Sequence, residues 1–90
     1  MIASIQIVGI YNYQRINKIV EIKFKTPQTM EKLLKKLSKK LKNNIFKILK
    51  NNPNNIVILM NNQRVELSNK NTFLIKEDIE LSILQGLGGG

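Results

Sequence analysis

One stretch of helical periodicity lies between two groups of strand-like segments, and this order most limits the folds open to the chain. From residue 30 the apolar side chains recur at steps of three and four and form one stripe: Met30, Leu33, Leu34, Leu37 and Leu41. Thr29 or Thr26 is placed to cap this helix, because a threonine hydroxyl can accept a hydrogen bond from an unpaired backbone N–H. The stripe predicts a single helix that lies across a sheet.

The residues before the helix predict a β-hairpin. Residues 2–10 are rich in β-branched side chains, and residues 18–25 alternate between apolar and polar types. This alternation directs one set of side chains towards the core: Ala3, Ile5, Ile7, Val20, Ile22 and Phe24. Gly9 and the polar residues 11–15 predict the turn that connects the two strands.

The residues after the helix predict a second hairpin and a closing strand. Asn43 and Asn44 should end or kink the helix, and residues 45–49 favour a further helical turn. Asn61 and Asn62 suit a tight turn, since asparagine tolerates positive φ. The predicted strands span residues 56–60, 63–67 and 79–84, and residues 73–75 are expected to plug the core.

The resulting order is strand, strand, helix, strand, short strand, strand, which predicts an α+β fold of the β-grasp type. We expect a mixed sheet of four to five strands with one helix packed across it. Residues 1–84 form the single domain in this interpretation, and residues 85–90 form a flexible glycine-rich tail.

The composition excludes most catalytic chemistry. The chain contains no Cys and no His, which removes thiolate nucleophiles, imidazole acid–base catalysis and the usual zinc ligands. Three of its six acidic residues lie within residues 77–80, and a solvated acidic patch is the simplest interpretation of this cluster. We therefore expect neither a metal site nor an enzyme.

The net charge of +9 raises the alternative of a small basic module that binds nucleic acid. Thirteen of the fifteen basic residues are Lys, whereas readers of bases and phosphates favour Arg. Tyr11, Tyr13 and Arg15 are the one aromatic and basic cluster, and they fall in a predicted turn. The sequence thus argues against nucleic acid. It leaves steering towards acidic partners open.

The chain ends in residues 85–90, which hold four of its five glycines. A backbone without side chains can enter a narrow cleft in another protein, although a frayed terminus or a linker has the same composition. The position of these glycines directly after the last predicted strand favours a functional tail that enters another protein.

The chain resembles the ubiquitin-like sulfur carriers, best over residues 58–90. These include the small subunit of molybdopterin synthase, the thiazole-synthesis sulfur carrier and the small archaeal modifier proteins. The resemblance is carried by residues 58–65, residues 74–81 and the terminal Gly89-Gly90 pair, and residues 29–37 also look like the family helix. The chain departs from the family at Asn61-Asn62, where Asn-Gly is frequent, and at Glu77-Asp78, where Gly-Asp is usual. Residues 85–88 replace the small or proline-containing segment before the final glycines.

The resemblance implies a carrier or substrate protein, or a small subunit of a synthase. An E1-like enzyme would adenylate the carboxylate of Gly90 with its own ATP and Mg²⁺, so that this chain binds no cofactor. Sulfur transfer would give a thiocarboxylate for molybdenum cofactor, thiamine or tRNA thiolation, with a sulfur-accepting synthase as partner. Attack by a target-protein lysine would instead give an isopeptide bond and make the chain a protein modifier.

The predicted site is therefore the tail and a neighbouring surface. Gly88, Gly89 and Gly90 form the tail. The candidate docking surface consists of Val57, Leu59, Leu84 and Leu87. No apolar run is long enough to span a membrane, and the start of the sequence lacks the pattern of a secretory signal. We expect a cytoplasmic protein.

Overall fold

The computed structural model describes residues 1–52, 55–66 and 74–85. Two long strands, β1 (Ile2–Tyr11) and β2 (Gln14–Lys23), are followed by the short β3 (Gln28–Thr29). Two helices come next, α1 (Met30–Leu41) and α2 (Ile45–Asn51). The described chain ends with the strands β4 (Ile56–Met60), β5 (Gln63–Val65), β6 (Leu74–Ile75) and β7 (Ile79–Gln85).

Five of these strands form one mixed sheet in the order β2-β1-β7-β4-β5. The central pair, β1 and β7, is parallel, and the other neighbours are antiparallel. The helices cover one face of this sheet, which confirms the predicted α+β β-grasp fold. The strands β3 and β6 form a separate two-stranded sheet that the sequence did not predict.

The apolar stripe of α1 lies in the core as its period requires. Met30, Leu33, Leu34 and Leu37 are buried, and Leu41 packs against them at the end of the helix. Burial of one such side chain stabilises a fold by about 1.5 to 3 kcal/mol, so this stripe is a principal reason for the position of the helix. The predicted inward-facing set is also correct, since Ala3, Ile5, Ile7, Val20, Ile22 and Phe24 are all buried, although β2 ends at Lys23 rather than at residue 25.

Local side-chain contacts set the ends of both helices. The hydroxyl of Thr29 accepts a hydrogen bond of 3.3 Å from the backbone N–H of Lys32, which confirms Thr29 as the cap of α1. Lys42 ends this helix in a left-handed conformation, with φ 53°. Asn44 caps α2 by accepting from the N–H of Lys47, so the predicted further helical turn is a second helix.

The turn between β1 and β2 is shorter than predicted. Only Asn12 and Tyr13 form it, both with positive φ, and Tyr11 belongs to β1 with its side chain fully buried. The prediction of a turn over residues 11–15 was wrong, because the polar residues that follow Tyr11 gave no sign that its ring packs into the core. The predicted turn at Asn61 and Asn62 is confirmed, with φ values of 50° and 68°.

The last part of the chain agrees with its prediction only in part. Ile75 is buried as expected of a core plug, whereas Leu74 is 49% exposed, so the plug was wrong at that position. Phe73 and Leu67 lie outside the described residues. The closing strand runs one residue further than predicted, through Gln85.

Candidate functional site

The predicted working group lies beyond the described structure. Leu87, Gly88, Gly89 and Gly90 are all outside the described residues. What the structure shows is the residue from which this tail departs, Gln85 at the end of β7, and the surface around it.

Gln85 is bound to β1 by its side chain. Its Oε1 accepts a hydrogen bond of 2.7 Å from the backbone N–H of Ile10, and its Nε2 donates one of 3.0 Å to the carbonyl oxygen of Ile10. The backbone of Gln85 lies opposite Ile56 in the β4–β7 ladder. The last described residue is therefore held by the strands on both of its sides.

A glycine makes room for this contact. Gly9 has a φ of +140°, and a Cβ built there would lie 2.6 Å from the Cβ of Gln85. Real side chains do not approach so closely, and L-residues rarely adopt this φ. The sequence interpretation assigned Gly9 to a turn and therefore missed its contact with Gln85. A glycine in the middle of a β-branched run was the available signal, since such a residue often marks a close approach of another segment.

Val57 and Leu84 lie together on the sheet face away from the helices, which we call the outer face. They are directly opposite each other in the β4–β7 ladder, and Leu84 is opposite Val8 in the β1–β7 ladder. All three side chains are half-buried. We call Val8, Leu84 and Val57 the apolar row; it crosses three strands, and Leu84 immediately precedes Gln85.

Other residues of the outer face extend this apolar surface. Leu59 is half-buried one row further from the tail, opposite Ser82. Ile10 and Ile19 are 50% and 73% exposed on β1 and β2. The alternation of residues 18–25 leaves Ile19 on the side of its strand away from the core, and the structure agrees. The sequence interpretation did not name Val8, Ile10 or Ile19 as candidates, because only the sheet order places β1 beside β7 and β2 beyond β1.

Acidic side chains collect at the opposite end of the outer face. Glu21, Asp78 and Glu80 line a shallow surface depression of ≈ 430 Å³. Asp78 has a structural task there, since its Oδ1 accepts a hydrogen bond of 2.8 Å from the N–H of Ile2. Within residues 1–52, 55–66 and 74–85, no three His, Cys, Asp or Glu side chains are grouped to hold a metal ion.

The aromatic and basic cluster considered for nucleic acid does not assemble. Tyr11 is fully buried, its hydroxyl donates a hydrogen bond of 2.9 Å to the carbonyl of Val8, and burial raises its pKa to about 12. Tyr13 points into solvent. Two tyrosines on opposite sides of the chain cannot form one stacking platform for bases.

The comparison with protein families connects this geometry to a known group. The model of the ThiS family matches residues 10–90, which is all of the chain except its first nine residues. The chain belongs to the ThiS family. This family consists of ubiquitin-like sulfur carriers with a β-grasp fold, in agreement with the resemblance carried by residues 58–65 and 74–81.

Membership of the ThiS family gives the general role. Its members are sulfur carriers rather than catalysts, and they generally partner with E1-like enzymes and sulfur-accepting synthases. A comparison with curated proteins returned no match. No helix in the described parts of the chain is long and apolar enough to cross a membrane.

Proposed function

We propose that this chain carries sulfur as a thiocarboxylate on Gly90. The match to the ThiS family over residues 10–90 is the observation that carries the proposal, because it includes the final glycines. A carboxylate is ionised and unreactive at neutral pH, so the carrier needs activation by another protein. The chain is thus a substrate of its partners and not itself an enzyme.

The proposed activation has two steps. A carboxylate oxygen of Gly90 attacks the α-phosphorus of ATP on an E1-like enzyme, and pyrophosphate leaves. Hydrosulfide, or a sulfur donor of equivalent oxidation state, then attacks the acyl carbon; the C–S bond forms as the C–O bond to AMP breaks. ATP and Mg²⁺ belong to the E1-like enzyme in this proposal.

The outer face supplies the docking surface in this proposal. Val57 and Leu84 of the apolar row lie near Gln85, from which the tail departs. Their partly exposed side chains favour contact with an apolar surface. Leu59 and Leu87 extend the surface in the same proposal. The recipients of the sulfur are a synthase for molybdenum cofactor or thiamine, or a tRNA-thiolating enzyme.

Exchange of pyrophosphate into ATP tests the activation step. We expect an E1-like enzyme of the source organism to catalyse this exchange with the full chain, and not with a chain that lacks Gly89 and Gly90. Equal exchange with both chains would overturn the proposal. Conjugates in which Gly90 is joined to lysines of other proteins would instead make the chain a modifier.

A further inference from the structure

The hydrogen bonds between Gln85 and Ile10 join two residues that are 75 positions apart in the chain. One carboxamide supplies both an acceptor and a donor, at 2.7 and 3.0 Å, to the two backbone groups of a single residue. The backbone of a neighbouring strand would offer Ile10 the same acceptor and donor, as a carbonyl oxygen and an N–H. The side chain of Gln85 therefore takes the place of backbone on this side of β1.

The ladder explains why Ile10 is available for this contact. Tyr11 and Gln14 close the two-residue turn, so they form the hydrogen-bonded pair at the end of the hairpin. Alternation then turns the N–H and C=O of Ile10 away from β2, towards β7. The pairing of β7 with β1 stops at Leu84 opposite Val8, two residues before Ile10. Within the described residues, the Gln85 side chain binds these two groups.

Space for the carboxamide depends on Gly9. The atoms nearest to a Cβ at this position would be the Cβ of Gln85 at 2.6 Å, its Oε1 at 3.0 Å and the Tyr11 ring at 3.1 Å. The ring is buried and cannot withdraw without opening the core. Any side chain at Gly9 would therefore push Gln85 away from Ile10.

We propose that Gln85 is a positioning residue for the tail. The contact with Ile10 holds Gln85, the residue from which the tail departs, beside the apolar row. It thereby sets the direction in which the tail enters the E1-like enzyme. This inference rests on the proposed function, because positioning matters only if Gly90 is the reacting end. Gln85 itself performs no chemical step.

The length of the tail shows why the position of Gln85 matters. Five residues follow Gln85, so a fully extended tail reaches about 17 Å at most. Docking of the outer face fixes the position of the sheet on the enzyme. The position and direction of Gln85 then determine whether a tail of this length can bring Gly90 to the active site. Misplacement of a reacting group by about 1 Å can cost about a hundredfold in rate.

A kinetic comparison of Gln85→Ala with the wild-type chain tests the proposal. We expect Gln85→Ala to lower kcat of pyrophosphate exchange about tenfold and to leave KM within about twofold, because the docking surface is intact. The matched control is Gln63→Ala, since Gln63 is an exposed glutamine of β5 opposite Met60, on the helix side of the sheet. A Gln85→Ala variant with unchanged kcat, or with only KM raised, would overturn the proposal.

The conservative variant Gln85→Glu separates the two bonds. Glutamate keeps an acceptor for the N–H of Ile10 but sets a carboxylate oxygen, which cannot donate, against the Ile10 carbonyl oxygen, so we expect a kcat clearly below that of the wild type. A kcat equal to that of the wild type would show that the donor bond has no positioning role.

A second measurement tests positioning without any enzyme. The chain has no Cys, so Asn17→Cys gives a single site for a nitroxide label at an exposed position of β2. We expect the paramagnetic broadening of the Gly88–Gly90 amide signals to differ between chains with Gln85 and with Gln85→Ala. Identical broadening would overturn the positioning role. Absence of exchange by the wild-type chain would instead overturn the proposed function, and the label would still decide the role of Gln85.

Discussion

The side-chain amide of Asn43 donates a hydrogen bond of 3.0 Å to the backbone carbonyl of Tyr11. It also donates to Oε1 of Gln14 at 2.9 Å, and its Oδ1 accepts from Nδ2 of Asn12 at 2.6 Å. Asn43 is the one buried polar residue in the described parts of the chain. It fastens the segment between the two helices to the β1–β2 turn.

Replacement of Asn43 by Ala should destabilise the fold. The change leaves the carbonyl of Tyr11 without this donor in a buried setting, so we expect the free energy of unfolding to fall by about 2 to 3 kcal/mol. Urea denaturation measures this change, with Asn17→Ala at an exposed position of β2 as the control. Equal midpoints for the two variants would contradict the structural role of Asn43.

Tyr11 should make stability depend on alkaline pH. Burial raises its pKa from 10.0 to about 12, which means that the folded state favours the neutral phenol. The stability that the neutral Tyr11 phenol contributes to the folded state is complete below pH 10 and is lost as the pH rises through 12. We expect the difference in unfolding free energy between the wild type and Tyr11→Phe to shrink over this interval by about 2 to 3 kcal/mol.

Denaturation at a series of pH values measures that difference, and other groups that titrate in the same range cancel in the comparison. Tyrosinate absorbance in a Tyr13→Phe background reports Tyr11 directly. A difference that stays constant with pH would contradict the assignment of Tyr11 to the core.

Gly9→Ala should weaken the fold as well as displace Gln85. The backbone at φ +140° is strained for any L-residue, and the new Cβ meets the Cβ of Gln85. We expect a loss of about 1 to 3 kcal/mol in the free energy of unfolding. Ser4→Ala, at a half-buried position of the same strand, is the control. A stability equal to that of the wild type would mean that β1 relaxes at Gly9 without cost.

A charge in the apolar row should block docking and spare the fold. Val57 is half-buried on the outer face, so Val57→Lys places an ammonium group where the proposed partner surface is apolar. We expect association with the E1-like enzyme to weaken about tenfold or more. Calorimetric titration measures it. Gln63→Lys adds the same charge on the helix side of the sheet and should bind like the wild type; equal binding by both variants would contradict the docking role of the outer face.

Much of the fold was predictable because short-range patterns determine it. The stripe from Met30 to Leu37 and the alternation in β1 specify which faces are buried, and Thr29 and the Asn61-Asn62 pair specify where elements begin and turn. The small β3–β6 sheet was not predictable. It pairs Gln28 with Ile75, and no local pattern reports a contact between two-residue strands so far apart in the chain.

The candidate site was also predictable only in part from the sequence. Alternation was enough to put Val57 and Leu84 on one face of the sheet, and the register confirms that they are neighbours. The contact of Gln85 with Ile10 depends on where β7 stops beside β1, which only the assembled sheet determines. Gln85 consequently looked like the first residue of the tail, although it belongs to the last strand.

The mass of the intact chain purified from its native host tests the central claim most directly. Incubation with the E1-like enzyme, ATP and a sulfur source should produce a species whose mass gain matches the exchange of one carboxylate oxygen of Gly90 for sulfur. A chain without Gly90 should not gain this mass. If Gly90 stays a plain carboxylate under every activating condition, the chain is not a sulfur carrier of the proposed kind.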